Sequence, residues 1–210
     1  MKRIAIIGSG DLGQQVAHYI HQDTKDKVVA FYDDFQDLGI FIKNIPVLGK
    51  INAIYDEFKK DKFDEILIAI GYNHLDFKEM LYNKLSNVIP FYKFIHSSTL
   101  LDSTAKIGNG TIIYPGCIID QNVRIDDNVL INIGCVISHD SQISKHTFIS
   151  PAVSIAGFVN IKKKCIIGIN TTIIDHITIA EKTQLGGGSV VIKNIEQSGL
   201  YVGNPIRFIH

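Results

Sequence analysis

His139 stands between Ser138 and Asp140, an imidazole followed directly by a carboxylate. Eighteen residues on, the chain reads Ala156-Gly157, and a glycine amide is a hydrogen-bond donor with no side chain to screen it. A base, an adjacent carboxylate and an oxyanion donor are the parts that acyl transfer requires. They work together only if the fold brings residue i beside residue i+18. A second cluster lies near the start. Gly8-Ser9-Gly10-Asp11-Leu12-Gly13 fits G-x-G-x-x-G, and Asp33 falls twenty residues after Gly13. That pattern suits a phosphate at the turn and a ribose or base near Asp33 and Asp34. The same glycines would equally serve a tight turn and close helix packing with no ligand.

The surroundings of His139 supply the required spacing. From Ile95, through Leu101, Ile107 and Ile113, every sixth residue to Val191 is aliphatic. Four places after each comes a second series, including Thr99, Ala105, Cys117, Val123 and Ser141, nearly all small or β-branched. A period of six fits neither a helix nor a plain strand, but it suits short strands that turn a corner every six residues. Three such strands close a triangular coil of eighteen residues, so residues about 95–195 read as a left-handed parallel β-helix. The aliphatic fills the coil centre, and the small residue sits inside near the corner. Coils stack at the inter-strand spacing of about 4.8 Å, which sets Gly157 beside His139. A β-sandwich would break so strict a period, because its turn lengths vary.

The front of the chain is of another kind. Residues 2–7 read as a buried strand, 14–21 as a helix, 28–32 as a strand ending at Asp33-Asp34, 52–60 as a helix, 65–70 as a strand ending at Gly71, and 74–85 as a helix. Alternation of strand and helix means a small parallel α/β sheet. The expected division is an α/β half-Rossmann-like domain over 1–92 and the β-helix over 93–210. A full dinucleotide fold needs two βαβαβ halves, and there is room for one, enough for a single nucleotide.

Lys plus Arg and Asp plus Glu both number 21, so no basic field exists to recruit nucleic acid or an anionic membrane. No stretch approaches the roughly 20 apolar residues of a membrane span. The opening apolar run stops too soon for a signal peptide. Cys117, Cys135 and Cys165 all fall in the small inward series and read as core residues, which fits a reducing cytoplasm. His18, His21, His74, His96, His176 and His210 read as solvated, and His146 is a weaker functional candidate than His139.

Several strings together carry a resemblance. Ser138-His139-Asp140, Ile149-Ser150-Pro151, Ile167-Gly168-Ile169-Asn170, Leu185-Gly186-Gly187-Gly188 and Tyr201-Val202-Gly203-Asn204-Pro205 resemble the bacterial sugar-nucleotide acetyltransferases of the left-handed β-helix superfamily. That group includes sialic-acid O-acetyltransferases and the N-acetyltransferases of 4-amino-4,6-dideoxy sugars. The resemblance spans the chain, including the Gly8 to Gly13 turn, Asp33-Asp34 and Ile70-Gly71. It implies that His139 is the general base, that Asp140 orients it and favours its protonated form, and that the Gly157 amide binds the acetyl carbonyl. It implies acetyl-CoA along the β-helix between subunits of a homotrimer, near Ile169, Gly187 and Gly188, with no metal. It also implies that a nucleotide-linked amino sugar is held through Gly8, Gly10, Asp33, Asp34 and Gly71.

One position departs from the pattern: relatives commonly carry a second histidine nine residues after the first, and here Phe148 stands there, with His146 a partial substitute. Three rival readings follow. A sugar O-acetyltransferase would use the same His139. A hexapeptide-repeat carbonic anhydrase would need a histidine pair five apart, whereas His139 and His146 are seven apart. A catalytically silent scaffold would tolerate loss of His139. The nucleotide base, the sugar and the position of its amine are not legible.

Overall fold

The computed structural model describes residues 1–210, which form two compact units, Met1–Lys93 and Phe94–His210. The first unit is built on a five-stranded sheet. Its strands are β1 (Arg3–Ile7), β2 (Lys27–Tyr32), β3 (Phe41–Ile42), β4 (Ile45–Gly49) and β5 (Glu65–Ile68), in the order β3-β4-β2-β1-β5. β1 runs parallel to both β2 and β5, and Ile4, Ala5, Ile6 and Ile7 are all fully buried, as expected of a strand covered on both faces. The three helices are α1 (Asp11–Asp23), α2 (Ile54–Lys59) and α3 (Leu75–Leu85).

α1 buries Gly13, Val16, Ala17 and Ile20, one stripe at helical spacing. It begins three residues before the expected start at 14, because Gly10 takes an extended cap conformation (φ −67°, ψ −170°) and Asp11 places an acid in the first turn. The 52–60 segment divides into a 3-10 turn, Ile51–Ala53, and α2. β5 ends at Ile68, so Ala69 and Ile70 leave the sheet. The antiparallel hairpin of β3 and β4 was not expected. Its turn residues Lys43 (φ 47°) and Asn44 (φ 67°) are both left-handed, as a two-residue hairpin turn demands. No helix is long and apolar enough to cross a membrane.

The second unit is a left-handed parallel β-helix. Two-residue strands recur every six residues, and each pairs with the strand eighteen residues away, for example Ile119 with Ile137 and Ile137 with Ile155. Ile113, Ile131, Ile149 and Ile167 stack with no solvent exposure, and full burial of such a side chain contributes about 1.5–3 kcal/mol. The small inward series does more than save space. Thr111 Oγ1 donates to the Asp126 carbonyl (2.8 Å), Ser141 Oγ to that of Ala156 (2.9 Å) and Cys117 Sγ to that of Asn132 (3.0 Å). Corner carbonyls that face inward thus find donors. The last coil is covered by an antiparallel hairpin, Leu200–Val202 with Arg207–Phe208.

From Gly110 to Gly188, the fourth place of every hexad has left-handed backbone. At one corner these are Asn122 (φ 57°), Asp140 (58°), Phe158 (58°) and His176 (58°).

Candidate functional site

His139 precedes that corner and is half-exposed. Its Nδ1 lies 3.0 Å from Asp140 Oδ2. A carboxylate acceptor at Nδ1 selects, for the neutral imidazole, the tautomer with its proton on Nδ1 and a lone pair on Nε2. Asp140 is held in turn: its Oδ1 accepts from Asn122 Nδ2 (3.1 Å), and its amide donates to the Gln121 carbonyl (3.0 Å).

One coil on, Gly157 lies against the imidazole. A Cβ at this residue would fall 2.7 Å from Cε1, 2.9 Å from Nε2 and 3.2 Å from Nδ1 of His139. Gly157 is buried, and its amide donates to no group of the chain, while the flanking amides do: Ala156 N to the Ile173 carbonyl and Phe158 N to that of His139. An imidazole with a free lone pair and an idle backbone donor therefore share one corner, a pairing suited to proton removal and oxyanion binding. An open groove of about 370 Å³ runs along the adjoining face, lined by Ser138, Ser154, Ala156, Thr172 and Asp175 among others.

At a second corner Ile169, Gly187 and Gly188 come together. The Gly188 amide (φ 68°) donates to the Ile169 carbonyl (2.7 Å), and a Cβ on Gly187 would meet Ile169 Cγ2 at 3.0 Å. Ile169 is 56% exposed, so the corner presents a small apolar surface flanked by bare backbone.

In the first unit, Gly8, Gly10, Asp33, Asp34 and Gly71 all line one cleft of about 570 Å³, within the range of small-molecule sites. Gly8 (φ 98°) ends β1, where a Cβ would fall 2.8 Å from the Ala69 carbonyl oxygen. Gly10 and Gly71 have no atom within 4 Å of a Cβ position, so their bare faces open on free space. The two acids differ. Asp33 Oδ2 accepts from the Ser9 amide (2.8 Å) and hydroxyl (2.7 Å), and its Oδ1 from the Phe35 amide (2.9 Å). Burial pushes its carboxyl up, but the bonds from Ser9 and Phe35 and the nearby Lys50 outweigh it and hold the group below its usual value. Asp33 thus fastens the glycine turn. Asp34 commits only Oδ1, to the Ile51 amide (2.9 Å), which leaves Oδ2 for a ligand.

One sequence reading changes and three are extended. His146 is buried, with its Nδ1 2.9 Å from Asn128 Nδ2, and cannot stand in for a second site histidine. Phe148 is buried and in register with Leu130 and Ile166, a packing position. His176 is exposed, as read, but it also stacks on Phe158, with centroids 4.8 Å apart and planes 5° apart. His74, read as merely solvated, lines the first-unit cleft with Phe35, Ile51, Ala69, Ile70 and Phe77, none of which the sequence reading included as site residues. The signal that was available was position: Phe35 follows Asp33-Asp34, and His74 follows Gly71 by three residues.

Residues 3–85 match the family described as the PglD N-terminal domain. No curated protein matches the chain. Among solved structures, the acetyltransferase domain of PglB from Neisseria gonorrhoeae FA1090 is 22% identical, with all of both chains covered and a TM-score of 0.88. A mutant of GDP-perosamine N-acetyl transferase from Caulobacter crescentus, in complex with CoA and GDP-perosamine, is 23% identical, with 100% of this chain and 98% of that one covered and a TM-score of 0.91. WeeI from Acinetobacter baumannii AYE is 23% identical over 100% of both chains, with a TM-score of 0.84. The likeness is one of fold and runs from end to end.

Proposed function

We propose that the protein is an acetyl-CoA-dependent N-acetyltransferase acting on the amine of a nucleotide-linked 4-amino-4,6-dideoxy sugar. The observation that carries this reading is the His139 imidazole, with Nδ1 on Asp140 and its ring packed on the Cα face of Gly157, whose amide is idle. The fold is shared along its full length with an acetyltransferase domain and with a sugar N-acetyl transferase crystallised with CoA and GDP-perosamine, which supports the same choice.

In the proposed reaction the first unit holds the nucleotide. The α1 N-terminus and the bare Gly8 to Gly10 turn suit a diphosphate, and the free Asp34 oxygen suits an N–H of the base. The sugar amine attacks the thioester carbonyl of acetyl-CoA as His139 Nε2 removes its proton, and Asp140 stabilises the imidazolium that forms. Negative charge on the carbonyl oxygen is met by the Gly157 N–H. The C–S bond then breaks, and the imidazolium returns the proton to the departing thiolate. No covalent enzyme intermediate is invoked, since Cys117, Cys135 and Cys165 are buried in the coil. Ile169, Gly187 and Gly188 are the proposed contacts for the coenzyme, on the small apolar surface they form. A homotrimer in the cytoplasm is part of the same proposal, and the unpaired cysteines fit a reducing compartment.

The test is release of CoA thiol from acetyl-CoA with a panel of UDP-, dTDP- and GDP-linked 4-amino-4,6-dideoxy sugars. Consumption of one amino sugar with stoichiometric thiol release is the expected result. Release with sugar hydroxyls alone would make the protein an O-acetyltransferase, and release with neither would refute acyl transfer to sugars.

A further inference from the structure

Phe158 occupies the left-handed corner place directly after Gly157, with φ 58°. That conformation crowds any Cβ and is borne most easily by Gly, Asn and Asp. Asn122 and Asp140, at the same corner, conform to that preference; His176 there and Ala152, Lys164 and Lys182 at other corners do not, but no other phenylalanine or tyrosine of the chain takes a positive φ. Nor does burial explain Phe158, which is 49% exposed. What sets Phe158 apart is a large apolar ring left in solvent and placed between two imidazoles. Its ring lies edge-to-face with the imidazole of His139, with centroids 5.2 Å apart and planes 87° apart. On the other side it stacks in parallel with His176 at 4.8 Å.

We infer that Phe158 is a positioning residue for His139. The inference rests on the reading of His139 as the base. A half-exposed imidazole tied by one hydrogen bond to the side chain of the very next residue can pivot about that bond. A productive site needs its rotamers locked to within about 10–20°. The phenyl ring supplies the missing wall, keeping Nδ1 on Asp140 and Nε2 over Gly157. His176 stacks behind it and holds the phenyl ring in turn.

Three variants separate this role from a structural one. Phe158→Asn removes the ring and relieves the backbone, so Tm should rise by a few degrees. Its kcat should nevertheless fall about tenfold or more, by loss of orientation, with KM for acetyl-CoA and for the sugar within about twofold of wild type. Phe158→Leu should lose kcat without the gain in Tm, and Phe158→Tyr should recover kcat. Nitrogen-15 NMR of the imidazole needs no substrate: wild type should show a single Nδ1–H tautomer for His139, and Phe158→Asn a mixture. The role is overturned if kcat is unchanged in Phe158→Asn, if KM rises instead of kcat falling, if Tyr is as poor as Asn, or if the tautomer does not respond. A tautomer that responds in a protein that acetylates no amino sugar would sustain the positioning role while refuting the proposed function.

Discussion

Gly157 has no room for a side chain because the imidazole of His139 rests on it: a Cβ would lie 2.7 Å from Cε1 and 2.9 Å from Nε2. The obstructing atoms belong to the end of a half-exposed side chain that can swing away. Gly157→Ala should therefore fold with an unchanged Tm, while the displaced base lowers kcat about a hundredfold, as misplacement of about 1 Å can. An unchanged kcat would show that the seat of the ring on Gly157 is incidental.

Asp140 fixes which imidazole nitrogen carries the proton, through the 3.0 Å contact to Nδ1. In Asp140→Asn the new amide can donate to Nδ1, which moves the proton to Nε2 and removes the lone pair. Asparagine accepts the left-handed backbone of this position, so the fold should persist. The expected loss in kcat is roughly a hundredfold to ten-thousandfold at unchanged KM, by analogy with the tautomer effect in serine-protease triads. A loss confined to KM would contradict it.

The glycines of the first turn should divide by role. A Cβ at Gly10 meets nothing of its own chain, so the side chain of Gly10→Val projects into the cleft. It should raise KM for the nucleotide sugar at least about tenfold, by loss of binding shared by ground and transition states, with Tm lowered only by the few degrees that a poorer helix cap costs. At Gly13 a Cβ would fall 2.0 Å from the Gly8 carbonyl oxygen, so Gly13→Ala should destabilise by about 1–3 kcal/mol in denaturant titration. If Gly10→Val binds the substrate normally, the cleft is not the nucleotide site.

Lys78 on α3 is fully buried, and burial pushes its ammonium down to about 8. Between pH 8 and the unfolded value near 10.4 the unfolded chain holds one more proton, so stability should rise with pH across that window. Below pH 8 the charge is kept at a cost. Lys78→Met should be more stable at pH 7, by at most about 3 kcal/mol, and should lose the rise. Urea titrations of both proteins at pH 7 and 9.5 decide it; a destabilised methionine variant would contradict the account.

The β-helix was legible because its core admits one large aliphatic per six residues, so spacing alone carried coil length, register and the approach of Gly157 to His139. The first unit was legible in its main strands and helices, where apolar runs are long. It was not legible at the β3–β4 hairpin, whose Phe41 is exposed and whose first strand is only two residues long. The corner side chains were the hardest to read. His146 and His176 occupy equivalent hexad places, yet one is buried beside Asn128 and the other is stacked in solvent on Phe158. What surrounds a corner is set by the coils above and below, eighteen residues away, and the inward aliphatic pattern carries no information about it. The same holds for Asp33, whose spacing suited a ribose contact and which lines the cleft, but whose carboxylate also accepts from Ser9 and Phe35.

The central claim is that His139 removes the proton from the attacking amine. It is tested most directly by CoA thiol release with the amino sugar that wild type consumes, measured beside His139→Ala. The imidazole lies outside the coil, so the variant should keep its Tm and both KM values, while kcat falls at least about a hundredfold. A variant that folds normally and turns over at the wild-type rate would contradict the assignment of His139 as the base.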